Sequence, residues 1–295
     1  MATVERGKDG LRTDVYYGAL EETEAKGYRA AGILLLRKRP TTEGPSYFEA
    51  TTTTSSSSSI QVLCCAEVRK KKKQKPKNGI VELNLLGGKI EDADGTDSRV
   101  TAAREFWEET GGMVPLAECQ RILNHDNKVL PIWCGPGKYA LYVAYDGNNN
   151  PQWDQLPVTY SEALQSGKEL PEGAEASHLV WVDWAIIQQC SQSRKKKKKP
   201  ANDSIGSDDG TISFLVPSAD NTDGERITVQ QSNFVKYLFP DSNFQGGVEL
   251  AIQKFLPSSS GTETTSNKDV KGSEGASGTK DAVEAMTRSL ESVTI

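Results

Sequence analysis

The stretch that decides the fold is Leu85-Leu86-Gly87-Gly88-Lys89-Ile90, the acidic loop Glu91-Asp92-Ala93-Asp94-Gly95-Thr96-Asp97, and then Ser98-Arg99-Val100-Thr101-Ala102-Ala103-Arg104-Glu105-Phe106-Trp107-Glu108-Glu109-Thr110-Gly111-Gly112. An apolar strand, Ile80–Leu86, runs into a Gly-Gly turn. A helix then starts at Asp97 or Ser98, both good N-caps. It stops at Gly111-Gly112, where glycine permits a left-handed C-terminal turn. Glu105, Glu108 and Glu109 stand at i, i+3 and i+4, so they share one helix face about 5–6 Å apart. Like charges that close repel. A hard divalent cation with oxygen ligands, Mg²⁺ above all, offsets the repulsion and carries waters and substrate phosphates in its shell. Taken alone, a Glu-x-x-Glu-Glu triplet is an ordinary solvated helix face. The glycines before it, Arg104 within it and Gly111 after it are what turn it into a candidate site.

Outward from this stretch the chain alternates strands and helices. Tyr28–Arg37 is an almost unbroken apolar run, the pattern of a strand covered on both faces. Ile60–Val68 is a second strand, on which Cys64 and Cys65 point to opposite faces. Further strands are expected at Cys119–Leu123, Tyr139–Tyr145 and His178–Trp184. A short helix is expected at Ala185–Cys190 and a late hairpin at Thr211–Val216 and Arg226–Val229. One or two packing helices are expected in Asn233–Leu256. Ser161–Ala176 reads as a polar loop. This mixture implies an α/β layered domain. Residues 1–27 read as an N-terminal extension and 28–256 as the domain. Thr41–Ser59, Arg69–Asn78 and Arg194–Gly210 read as low-complexity insertions, and 257–295 as a Ser/Thr/Gly-rich tail with a possible terminal helix.

Composition narrows the function classes. The chain has 295 residues and a formal net charge of −5, which does not favour a general nucleic-acid binder. Positive charge is clumped in Lys70–Lys73 and Lys195–Lys199. Such runs are solvated linkers or arms that steer an anion or RNA. No apolar run approaches the roughly 20 residues that span a bilayer, and Met1–Arg6 lacks the apolar core of a secretory signal. Five cysteines without metal-type pairing read as reduced thiols. The expectation is a cytoplasmic protein, with the lysine runs leaving the nucleus open. Two histidines, His125 and His178, exclude a multi-histidine metal site.

The central stretch resembles the box of the Nudix hydrolases: Gly, five residues, Glu, seven residues, Arg-Glu, an aliphatic, any residue, Glu-Glu, any residue, Gly, an aliphatic. Gly88, Arg104, Glu105, Phe106, Glu108, Glu109 and Gly111 fill that pattern. The loop between Gly88 and Arg104 is two residues longer than the family's, and the isolated glutamate is replaced: by Asp94 if the extra residues follow it, by Thr96 if they precede it, with Asp94 preferred because it keeps a carboxylate. Gly112 stands where an aliphatic is expected, with Met113 next.

The resemblance implies an α/β/α sandwich with a mixed β-sheet. It also implies Mg²⁺-dependent hydrolysis, with Mn²⁺ as a possible substitute, of a nucleoside diphosphate linked to another group. Glu105, Glu108 and Glu109, with the Gly88 carbonyl, would ligate metal, which neutralises phosphate oxygens and lowers the pKa of an attacking water. Arg104 would pair with a helix carboxylate, Gly87 and Gly88 would shape the turn, and Lys89 would contact phosphate. A general base is sought among Glu162, Glu169, Glu172 and Glu175, or on the helix itself. The competing readings are a catalytically silent binding module on the same fold and an RNA-processing, decapping-like factor.

Overall fold

The computed structural model describes residues 4–39, 60–68, 81–125, 127–145, 151–188, 211–218 and 221–256. The three low-complexity insertions and the tail expected from sequence fall outside these residues. Strand β1 is Val15–Tyr17, helix α1 Glu22–Gly27, β2 Ala30–Lys38, β3 Ile60–Val68, β4 Val81–Asn84 and β5 Leu86–Lys89. Helix α2 spans Ser98–Glu109 and α3 Leu116–Leu123. β6 (Val129–Cys134), β7 (Tyr139–Tyr145), α4 (Pro151–Gln165) and β8 (Ala176–Asp183) follow. A short helix, α5, covers 184–188. The chain continues with β9 (Thr211–Ser218), β10 (Asn221–Gln231), α6 (Asn233–Leu238) and α7 (Ser242–Phe255).

The sheet is mixed and open, in the order β1-β6-β7-β2-β3-β4-β10-β9, with β5 added to β2 and β8 to β3. β2 runs parallel to β7, and β10 parallel to β4; the other pairs are antiparallel. β2 and β3 pair only from Leu36–Lys38 to Ile60–Val62. Beyond that point they separate. The segment Val81–Lys89 enters the gap and changes partner at Leu85, β4 pairing with β3 and β5 with β2.

Period-2 alternation divides the core into two layers. Leu34, Leu36, Val62, Cys64 and Ala66 face Phe244, Val248, Ala251 and Phe255 of α7. Ala31, Ile33, Leu35, Leu63 and Cys65 face Ala102, Ala103 and Phe106 of α2. The unbroken apolar runs of β2 and β3 are the consequence of cover on both faces. Cys64 and Cys65 lie on opposite faces, as the alternation requires.

Several segments differ from the sequence expectation. Cys119–Leu123 is helical within α3, because Cys119, Ile122 and Leu123 bury one face at a spacing of three to four residues. The strand lies later, in β6, whose apolar run is interrupted by Pro131. Pro151–Gln165 is a helix with Pro157 inside it. Trp153, Leu156, Tyr160 and Ala163 supply its buried stripe. The N-terminal segment joins the sheet, since β1 pairs with β6 and the Trp133 indole donates to the Arg12 carbonyl at 3.0 Å. No described helix is long and apolar enough to cross a membrane.

Candidate metal centre

Helix α2 starts where a cap predicts: Asp97 Oδ1 accepts from the Arg99 N–H at 2.9 Å. It ends where Gly111 and Gly112 take φ of 64° and 68°, conformations that favour glycine. With Ala102, Ala103 and Phe106 buried in the core, the adjoining face carries Glu105, Glu108 and Glu109 past the edge of β5.

Gly87 and Gly88 do not form a turn. They lie inside β5, opposite Gly32 and Ala31. Glycine is needed there for close approach. A Cβ on Gly88 would stand 2.3 Å from Glu105 Oε2, and one on Gly87 would stand 2.0 Å from the Tyr139 hydroxyl. The glycine pair therefore lets the strand backbone touch the carboxylate. Lys89 is exposed, and its backbone carbonyl accepts from Arg104 Nη2 at 2.8 Å.

Arg104 is the hub. Its Nε and Nη2 donate to the two oxygens of Asp94 at 2.9 Å each. Nη1 donates to Glu108 Oε2 at 2.9 Å, and Nη2 lies 3.0 Å from Glu105 Oε1. Asp94 thus holds the arginine in a bidentate pair. It is further held by the Glu91 N–H and the Thr101 hydroxyl, each at 2.9 Å. Burial alone would raise the Asp94 pKa, but Arg104 and these donors hold it below the ordinary range. Two neighbouring carboxyls are displaced the other way. Burial, aided by the repulsion of Glu108 and Asp94, outweighs the attraction of Arg104 and pushes Glu105 up to about 7. Burial and the charges of Glu67, Glu105, Glu175 and Glu108 push Glu109 up to about 8.

Glu109 is 7% exposed, and its Oε2 has no hydrogen-bond partner. A buried carboxylate without a cation or donor is costly. This orphaned oxygen belongs to a carboxyl that feels the charges of Glu105 and Glu108, and three carboxylates are the donor type a hard cation such as Mg²⁺ or Mn²⁺ takes; among the described residues, however, the ligand atoms that gather within 4.8 Å of one another are those of Glu109, Glu67 and Cys65. Sequence reasoning missed one neighbour. Glu67 stands at the end of β3, beyond a run of buried residues, and its charge is felt at Glu109. A carboxylate directly after an apolar strand was a signal, but its register against α2 could not be read.

The base candidates are now distinguishable. Glu162 projects from α4, and Glu169 and Glu172 are exposed. Glu175 is the member of the four whose charge reaches Glu109. The loop before it also touches the helix, for a Cβ on Gly173 would stand 2.9 Å from Glu108 Oε2.

No family model matches the chain, and no curated protein matches it. Among solved structures, it is similar to T. brucei MERS1 in complex with RNA, at 13% identity, covering 63% of this chain and 57% of that one, with a TM-score of 0.27. It is also similar to the apo form of the same protein, at 15% identity, 62% coverage of each chain and a TM-score of 0.25. The match thus spans about three-fifths of those chains; a likeness at that level assigns neither site nor function.

Proposed function

We propose that this chain is a Mg²⁺-dependent pyrophosphohydrolase of Nudix type, acting on a nucleoside diphosphate linked to a second group. The observation that carries the reading is the orphaned carboxylate oxygen of Glu109. It belongs to a carboxyl that feels the charges of Glu105 and Glu108, while the one arginine that pairs with those two, Arg104, is shared with Asp94. Mg²⁺ bound by Glu105, Glu108 and Glu109 supplies charge neutralisation at the pyrophosphate oxygens. The chain's own residues do the rest. Arg104 fixes the rotamers of Glu105 and Glu108 through charge-assisted hydrogen bonds. Gly88 lets the β5 backbone line the site at contact distance. Glu175, exposed and close to the helix, takes the proton of the attacking water. The mixed sheet with helices on both faces is the frame that an α/β/α sandwich of this kind requires.

The test is the purified protein with Mg²⁺ against a panel of nucleoside diphosphate sugars, dinucleoside polyphosphates and capped RNA. Release of nucleoside monophosphate or phosphate is expected for at least one, and Glu108→Gln is expected to abolish it. Full turnover by the variant would refute the assignment of the helix carboxylates.

A further inference from the structure

Near the end of β3, Glu109 meets a second group of ligand-type side chains. There Cys65 Sγ and oxygens of Glu67 and Glu109 all lie within 4.8 Å of one another. Cys65 is fully buried; its thiol donates to Glu67 Oε1 at 3.5 Å and to the Leu85 carbonyl at 3.7 Å. Glu67 is itself held: Asn84 Nδ2 donates to Glu67 Oε1 at 3.0 Å. The Ser232 hydroxyl in turn donates to Asn84 Oδ1 at 3.1 Å, and Ser232 caps α6. A chain of contacts from a helix start thus orients one carboxylate toward a thiol and a second carboxylate. The second is Glu109, with its unpartnered buried Oε2.

We propose that Cys65, Glu67 and Glu109 form a second metal position, selective for a thiophilic divalent ion of the Zn²⁺ class. One sulfur and two carboxylates are a poor set for Mg²⁺, which prefers oxygens and retained waters. They suit an ion that accepts mixed sulfur and oxygen ligands with one position left open. Metal–sulfur and metal–oxygen bonds near 2.3 and 2.1 Å place tetrahedral ligand atoms roughly 3.4–3.6 Å apart, a spacing that Cys65 Sγ and Glu67 Oε1 already have at 3.5 Å. On binding, the Cys65 S–H bond breaks; the sulfur keeps the electron pair and donates it to the ion, and the proton leaves to solvent. The Asn84–Ser232 contacts orient the ligating carboxylate from outside. The site shares Glu109 with the proposed Mg²⁺ set, and the Cys65 thiolate, which Mg²⁺ does not favour, gives the thiophilic ion the stronger hold on that carboxylate. The position itself stands whether or not the chain hydrolyses a pyrophosphate.

The test is titration of the full-length, reduced, metal-free protein with Co²⁺. The expected result is a sulfur-to-cobalt charge-transfer band saturating at one ion per chain. Zn²⁺ should displace it and Mg²⁺ in large excess should not. The band should vanish in Cys65→Ala, persist in Cys64→Ala, and need at least tenfold more Co²⁺ in Glu67→Gln. A wild-type protein without the band overturns the proposal, as does a band that survives in Cys65→Ala or is lost in Cys64→Ala. If Cys65→Ala does not fold, the wild-type, Cys64→Ala and Glu67→Gln titrations decide. A cobalt–thiolate band in a protein inert toward every pyrophosphate substrate would sink the hydrolase reading and leave this one intact.

Discussion

Replacing Glu109 by Gln should stabilise the metal-free protein while removing its response to Mg²⁺. The carboxyl titrates near 8 in the folded chain against an ordinary 4.5. Between those values the unfolded chain is ionised and the folded one still holds the proton. The unfolded state therefore binds fewer protons, and stability falls as pH rises through this window. At pH 7 the difference is about 2.5 pH units, worth on the order of 3 kcal/mol at 1.36 kcal/mol per unit. Glutamine does not ionise, and its amide NH₂ has the neighbouring carboxylates as acceptors. The variant should melt roughly 5–10 °C higher at pH 7 in a chelator, with a shallower decline between pH 5 and 8. Glu105, which titrates near 7, leaves part of the slope in place. Saturating Mg²⁺ should stabilise the wild type by about 3 kcal/mol at a hundredfold excess over its dissociation constant and the variant by much less. Thermal melts with and without Mg²⁺ across that pH range decide the matter. A variant less stable than wild type at pH 7 without metal would refute the account of Glu109 as a buried carboxyl that must keep its proton for want of a partner.

Other perturbations follow from the same geometry. Gly88→Ala places a methyl 2.3 Å from the Glu105 carboxylate; it should cost about 1–3 kcal/mol and weaken Mg²⁺ binding, checked by denaturant titration and calorimetry. Arg104→Met strands buried Asp94 and should cost about 3–5 kcal/mol, read as a lower denaturation midpoint. Asp94 itself titrates below its ordinary 3.8. Its stabilisation is thus complete above that value and is lost as pH falls through the lower folded one, so Asp94→Asn should flatten the acid limb of the stability curve. Phe106→Ala, which empties a fully buried site, should cost about 3–5 kcal/mol by the same denaturant assay.

Local signals were legible where one element states its own boundaries. Asp97 and Gly111 bracket α2, and the apolar runs of β2 and β3 announce cover on both faces. The helix carboxylates could be named from spacing and Arg104 from the resemblance of the stretch, but the sequence paired that arginine with a helix carboxylate, and its bidentate hold on Asp94 could not be read. What could not be read were relations between elements. The Gly87-Gly88 pair looks like a turn in sequence, and only the pairing of β5 with β2 turns it into a strand. The 3.6-residue period of Leu116–Leu123 was present but short, and its β-branched and cysteine content mimicked a strand. Pro157 hid α4, because an internal proline ordinarily breaks a helix. Glu67 belongs to the site through the register of β3 against β4 and through packing on α2, neither of which a linear pattern carries.

The change of partner at Leu85 sets different tolerances to altered chain length on the two sides of Gly88. Adding or removing a residue in Leu86–Lys89 would shift β5 by one place along β2, reverse its faces and present a side chain where only glycine fits. Between Asp94 and Ser98 the chain merely has to return to the helix start, with Arg104 reaching back to Asp94 whatever the path between them. Insertions and deletions should therefore accumulate after the acidic turn and be purged before it.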